Sequence, residues 1–353
     1  MPSALKRVLV VTSDVPFVTG GHLVIARSTV RALRECGHEA DLVLTPQNRF
    51  GRQFSAYLAN RFTDVGMDGL GRTIDHVISF RFPSFAVRHP SHVCWLNHRL
   101  REYYDLWPML RDQLGFRGKV KEEIRRRILR IVDTHLLKRS VRKVYAQSGT
   151  IQARLQKWGS IPSEILYPPP PQRRYRTESY GNFILAVSRL QKLKRIDLLV
   201  DAFRFVDNTG LRAVIVGDGP ERTALEIRVR EAGLEHRIDF PGELDDEGIL
   251  DLYARCRAVF FCPYNEDYGL VTPEAFASRK AVVTATDSGG PAELVRDGIN
   301  GFVTDPNPKD IARRLNELGG DTALAERLGD RAAETVSDMT WEKAVSRLLL
   351  LPG

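Results

Sequence analysis

Cysteine is scarce in this chain. Its 353 residues hold four, Cys36, Cys94, Cys256 and Cys262, and none forms a CxxC pair. That spacing offers neither a metal cluster nor a redox dithiol, so free thiols in a reducing cytoplasm are expected. Long apolar runs are missing too. The longest, such as RVLVV and AVFFC, are strand-length and too short for a helix to cross a bilayer. The opening MPSALKRVLVV passes straight into a buried-strand pattern, with no apolar region or cleavage site of a signal peptide. Acidic residues fall short of basic ones, 44 against 52, leaving a net charge of +8. An anionic partner is therefore expected. With 43% hydrophobic and 27% charged residues, the chain is globular rather than disordered and long enough for two domains.

Much of the positive excess lies in residues 117–143, which hold eleven Lys and Arg against three Asp and Glu. Ile124, Ile128, Ile131, Val132 and His135 fall at helical spacing within it, predicting an amphipathic basic helix. Such a helix is either a solvated face on a packed element or a dock for an anionic membrane surface or lipid-diphosphate substrate. Nucleic acid is disfavoured as a partner, because no recognised binding motif accompanies the charge.

Apolar β-branched runs alternate with helical patterns along the whole chain. RVLVVTSD (7–14), EADLVLT, HVISF (76–80), HVCWLN (92–97) and KVYAQS (143–148) read as strands. Four prolines at 168–171 and the aperiodic QRRYRTESYGN cannot sit in a helix interior or central strand, and so mark a linker. Alternation restarts with FILAVS (183–188), AVIVGDG (213–219), RIDFPG, AVFFCP and AVVTA (281–285). Alternation of this kind implies βαβ units and two doubly wound parallel sheets. Three divisions are expected: 1–172, 173–335, and a C-terminal helix within 336–353 that returns to the first domain. Ligands of such folds bind beyond the carboxyl ends of the strands.

The stretch NEDYGLVTPEAF (265–276) places Glu266 and Glu274 on either side of a glycine. On one continuous helix, eight positions at about 100° each would leave them roughly 80° apart. Pro273 suits a helix start better, with Thr272 as N-cap and Glu274 in the first turn. Glu266 then lies in a loop, and the backbone of Gly269, Leu270 and Val271 lies between the carboxylates. Other loops suit phosphate. Gly20 and Gly21 open a helix after the first strand, where free amides meet anions. Gly217 and Gly219 follow AVIV, and Arg189 and Lys194 leave FILAVS together. DSGGPAELV (287–295) is another small-residue turn. Each alone is equally consistent with a tight turn or surface charge.

Taken in order, SRLQKLKRIDLLVDAF, IVGDGPE, DFPG and NEDYGLVTPEAFASRKAVVTATDSGGPAELVRDGINGFV closely resemble the retaining nucleotide-sugar glycosyltransferases of family 4, which have the GT-B fold. The first half agrees, through GGH, ALRECGHEADLV, WLNHRLREYYD, YAQSGTIQARL and YPPP. The resemblance implies two Rossmann-like domains facing across a cleft, and transfer of a sugar from a UDP- or GDP-sugar to a glycan or lipid-linked acceptor. It implies roles for residues as well. Glu274 would hold the ribose hydroxyls, and Glu266 would face the donor sugar. Arg189 and Lys194 would grip the diphosphate, aided by the amides at Gly269, Leu270 and Val271. Gly20 and Gly21 would border the diphosphate and the acceptor, with Gly217 and Gly219 near the base. His98 would lie near the donor sugar, with Arg101 and Asp105 lining the first domain's side, and His22 could touch the acceptor. No metal and no cofactor are implied, and the setting would be cytoplasmic, peripheral to the inner face of a membrane through 117–143. The chain departs from the family where Gly-Lys-Pro is replaced by Arg279-Lys280-Ala281, and in having His22 after the double glycine. A nucleotide-sugar epimerase or sugar phosphorylase of the same fold, or a non-catalytic membrane-binding protein, are the alternatives.

Overall fold

The structure is a computed structural model that describes residues 5–15, 20–47 and 51–350. The chain divides into two compact units, one of residues 1–171 with 340–353, the other of residues 172–339. Each is a six-stranded parallel sheet wrapped by helices.

The first unit contains β1 (Arg7–Asp14), β2 (Glu39–Pro46), β3 (His76–Ser79), β4 (His92–Leu96), β5 (Lys143–Ala146) and β6 (Glu164–Ile165). Their order in the sheet is β2-β1-β3-β4-β5-β6. β3 and β4 are buried at every position, because a parallel sheet covered on both faces asks for unbroken apolar runs rather than alternation. The core gathers Phe82, Phe85, Leu96, Tyr103, Leu129 and Leu137. The last helix, Trp341–Leu349, starts at Thr340, whose side chain accepts from the Lys343 amide, satisfying one of the orphan donors of a helix start. It packs back on this unit. Trp341 meets Trp95 edge-on at 6.2 Å, and the Tyr145 hydroxyl donates to the Arg347 carbonyl at 2.9 Å.

The second unit contains β7 (Phe183–Val187), β8 (Arg212–Val216), β9 (Ile238–Gly242), β10 (Ala258–Phe260), β11 (Val282–Ala285) and β12 (Gly301–Thr304). Their order is β12-β11-β10-β7-β8-β9. Strand order therefore reverses between β7 and β10, where the following connections leave in opposite directions and open a crevice at the carboxyl ends. Ala186, Ile215, Phe260, Val283, Leu199 and Leu315 fill the core. Phe260 is fully buried, and its truncation to Ala would cost about 3–5 kcal/mol.

The edge strands β6 and β12 are absent from the sequence expectation. Two residues and a Gly-led GFVT carry too little pattern to register. The basic helix does form, over Phe116–Arg139, but the face it buries holds Glu122, Leu129, Asp133, Leu136 and Leu137. Ile124, Ile128 and Ile131 point outward instead. Among the described residues no helix is long and apolar enough to cross a membrane.

Candidate functional site

Two loops meet at the reversal between β7 and β10. After β7 the chain runs through exposed Arg189, then a single turn of 3-10 helix, Lys192–Lys194. After β10 it runs through Asn265 and Glu266. Lys194 Nζ donates to a Glu266 carboxylate oxygen at 2.8 Å, both side chains about one-fifth exposed at 18% and 20%. The neighbouring Arg195 faces inward. Its guanidinium donates to both oxygens of Asp287 at 2.6 and 2.8 Å, and to the carbonyls of Cys262 and Pro263. Arg195 thereby ties the β7, β10 and β11 loops together, from a left-handed backbone at φ 49° that disfavours any residue with a Cβ.

Glycine closes the loops on one another. A Cβ at Gly289 would lie 2.5 Å from the Glu266 carbonyl oxygen, and the Glu266 amide donates to the Ser288 carbonyl at 2.8 Å. The DSGG turn is thus the seat on which Glu266 rests. Gly217 and Gly219 serve the β7 loop likewise: a Cβ on either would overlap the carbonyl oxygen of Ser188 or Leu190. Gly269, at φ 81°, would drive a Cβ into the Phe261 ring at 2.6 Å.

Glu274 lies on the helix Val271–Ala277, which begins earlier than expected. Leu270 is the residue before its first turn and no side chain caps it. Thr272 is therefore inside the helix, not the N-cap, because the Gly269 carbonyl already accepts from the Thr272 amide at 3.1 Å. Gly269, Leu270 and Val271 do open this helix, and a helix start leaves its first amides without intrahelical acceptors. The Glu274 carboxylate is buried and accepts from Arg173 Nη1 at 2.8 Å, with the Tyr253 hydroxyl at 3.4 Å. Burial pushes its pKa up to about 7, against the opposing pull of Arg173. Arg173 also pairs with Asp246 at 2.9 Å. Burial raises the Tyr175 hydroxyl well above the phenol range, and Glu274 adds to that. Arg173 and Tyr175 come from the segment read in sequence as a linker, so neither was anticipated at the site. Proline-rich composition hides a working side chain.

The remaining expected residues lie in the first unit. Gly20 precedes the helix Gly21–Glu35 with extended backbone, and His22 is buried in its first turn. His98 directs Nδ1–H to the Arg99 carbonyl at 2.7 Å. Arg101 holds one Asp105 oxygen through Nε and Nη2 at 2.9 and 2.7 Å, and Arg154 reaches the same oxygen at 3.3 Å. The cavity bordered by His98, Arg101 and Asp105 measures about 20 Å³.

Residues 172–335 match the family described as glycosyl transferases group 1. The second unit is a group 1 glycosyl transferase domain. Over 189 residues the chain is 29% identical to an uncharacterized glycosyltransferase of Methanocaldococcus jannaschii, covering 53% of this chain and 50% of that one. Over 176 residues it is 34% identical to the D-inositol 3-phosphate glycosyltransferase of Streptomyces bingchenggensis, covering 46% and 38%. The match thus spans half or less of these relatives' length. Among solved structures, sucrose-phosphate synthase from Thermosynechococcus elongatus superposes with a TM-score of 0.76 at 17% identity over 97% of each chain. HepE of Anabaena, in complex with UDP and glucose, gives 0.70 at 19% identity over 96% of this chain and 98% of that one. At such identities the likeness establishes the fold, which is GT-B, and places the group 1 domain in the second of its two Rossmann-like halves.

Proposed function

We propose that this protein transfers a sugar from a nucleotide diphosphate sugar to a glycan or lipid-linked acceptor, with retention at the anomeric carbon. The observation that carries the reading is the Lys194–Glu266 pair at the reversal of the group 1 sheet, 2.8 Å apart, where a ligand of this architecture binds. A diphosphate entering there draws Lys194 away from Glu266, and Arg189 supplies a second cation. Glu266, released, turns its carboxylate to the hydroxyls of the sugar. Glu274 accepts from the ribose, held in place by Arg173.

Breaking the sugar–phosphate bond makes an oxocarbenium-like centre and a dianionic leaving group. Fixed cations on the diphosphate stabilise that charge as it develops, so neutralisation falls to Lys194 and Arg189 with no metal required. On the front-face route the departing phosphate takes the acceptor's proton, and Glu266 serves as a positioning and electrostatic group. It is not one of a hydrolase pair, because Glu274 is given to the ribose. The base is proposed to be uracil or guanine, and the Anabaena neighbour's complex with UDP makes uracil the first choice. Reading of the acceptor is proposed for first-unit loops and His98, in a cytoplasmic setting.

The deciding experiment incubates the protein with UDP- and GDP-sugars and candidate acceptors and follows the anomeric proton by NMR. An axial donor giving an axial product supports the reading. Turnover of the donor alone to an epimer or a sugar phosphate overturns it.

A further inference from the structure

The helix Phe116–Arg139 carries apolar residues on two opposite faces. One is packed against the first unit's core by Leu129, Leu136 and Leu137. The carboxylates on that side are engaged inward: Glu122 accepts from the Tyr103 hydroxyl and Asp133 from the Tyr104 hydroxyl, each at 2.6 Å. The opposite face is open. Phe116, Val120, Ile124, Ile128 and Ile131 are 83%, 48%, 56%, 44% and 70% exposed. At about 100° per residue they fall within a sector of roughly 120°, a stripe of about 22 Å along the axis. Exposed Arg117 and Arg127 fall in the same sector, so basic residues are set among the apolar ones, a mixture suited to a surface that is both apolar and anionic.

Where the stripe ends, at Ile131, a groove of about 580 Å³ opens beside Arg130, His135, Lys138 and Lys157. Through Lys138 and Arg139 it joins a second groove of about 490 Å³ at Arg142 and His89. His89 and Ser140 lead on to a third, beside Arg61 and Arg88. No carboxylate lines any of the three among the described residues. Glu123, the remaining acid of the helix, is neutralised by Arg126 and Arg127 at 3.0 and 3.1 Å.

We propose that this face is a docking surface for an anionic lipid bilayer. The stripe enters the boundary between headgroups and acyl chains, and the cationic grooves at its end meet lipid phosphates. Charge selects the bilayer over a second copy of the chain. A second copy of the chain carries the same net charge of +8 and opposes like charge to like, whereas an anionic leaflet attracts every basic residue near its surface. The inference stands on first-unit residues and does not rest on the transferase reading.

The test is flotation of the full chain with vesicles of phosphatidylcholine alone and of phosphatidylcholine mixed with phosphatidylglycerol. Binding is expected to the mixed vesicles only, and to weaken as salt is raised. The pairs Ile124→Ser with Ile131→Ser, and Lys138→Glu with Arg139→Glu, should each lower binding roughly tenfold or more. Circular dichroism and the melting temperature of both pairs should match those of the parent, separating loss of docking from loss of the fold. In an Ile124→Trp variant, the emission added by the new indole should shift to the blue on the mixed vesicles and be quenched by brominated lipid. Failure to float with mixed vesicles overturns the proposal, as does equal flotation of either pair or an unshifted emission in Ile124→Trp. A stable dimer in sedimentation that Ile124→Ser with Ile131→Ser dissolves also overturns it.

Discussion

Lys194 and Glu266 neutralise each other across the two loops that part at the reversal of the second sheet, Nζ to carboxylate oxygen 2.8 Å. On the proposed reading, the donor diphosphate competes with Glu266 for this lysine. Lys194→Ala should therefore weaken nucleotide diphosphate binding roughly 10- to 100-fold, the scale of a lost hydrogen bond to a charged group. Glu266→Gln should hold the nucleotide diphosphate at least as tightly as the parent while losing sugar transfer. Titration calorimetry on both variants checks the pair, and weakened nucleotide binding in Glu266→Gln would contradict the competition.

Arg173 Nη1 donates to the buried Glu274 carboxylate at 2.8 Å. Arg173→Ala leaves a buried carboxylate without its cation, so the Glu274 pKa should rise further above about 7. Nucleotide affinity near neutral pH should fall, more at pH 6.5 than at pH 8, where Glu274 is again ionised. Affinity measured against pH separates this from simple disorder, which would depress both ends equally.

The two units should respond to pH with opposite sign. Burial lowers His92 to about 3 and His76 to about 4. The unfolded chain then binds more protons below about pH 6.5, and the first unit loses stability as pH falls through that range. Glu274 is raised, so its contribution to the second unit is present below about pH 4.5 and lost as pH rises toward 7. Hydrogen exchange resolved by segment, at pH 5 and pH 7.5, should show β4 better protected at the higher pH. Glu274→Gln should abolish whatever protection the helix Val271–Ala277 gains at the lower.

Arg279 sits at φ 54°, the left-handed region, where the wider family's glycine carries no steric cost. Its side chain pairs with Asp330 on the surface, worth about 0–1 kcal/mol. Arg279→Ala removes the pair and keeps the strain, whereas Arg279→Gly removes both. The glycine variant should be about 1 kcal/mol more stable than the alanine variant, measurable by urea unfolding.

Gly289→Ala pushes a Cβ against the Glu266 carbonyl and so shifts the loop that holds the carboxylate. It should reduce transfer more than it reduces nucleotide binding, because the contact falls beneath Glu266 and not beneath Lys194 or Glu274. Steady-state kinetics alongside calorimetry distinguish the two.

Legibility in sequence followed the physics of each element. Ten of the strands announce themselves as apolar β-branched runs between polar turns, and β6 and β12 do not. The carboxylates were visible because a glycine turn flanked by two glutamates is unusual. Arg195 was not, since nothing in KLKR tells which cation turns inward; that is decided by the Asp287 oxygens 92 residues later. Arg173 was hidden in an aperiodic linker. Arg101 and Asp105 stand four residues apart and pair with each other, a choice that spacing permits and only packing reveals. The outward set of the basic helix was legible as a stripe, but its direction was not, because Leu129, Leu136 and Leu137 form a second stripe behind it.

The helix Trp341–Leu349 closes the first unit with residues made after the whole of the second. On the ribosome, residues 1–171 emerge without the Trp341 ring against Trp95 and without the carbonyls that Tyr145 and His76 engage. They must wait while residues 172–339, an uninterrupted segment, emerge and can fold. The half that comes out first is therefore the half that finishes last, and a chain stopped at residue 339 would present a complete group 1 domain tethered to an unfinished partner.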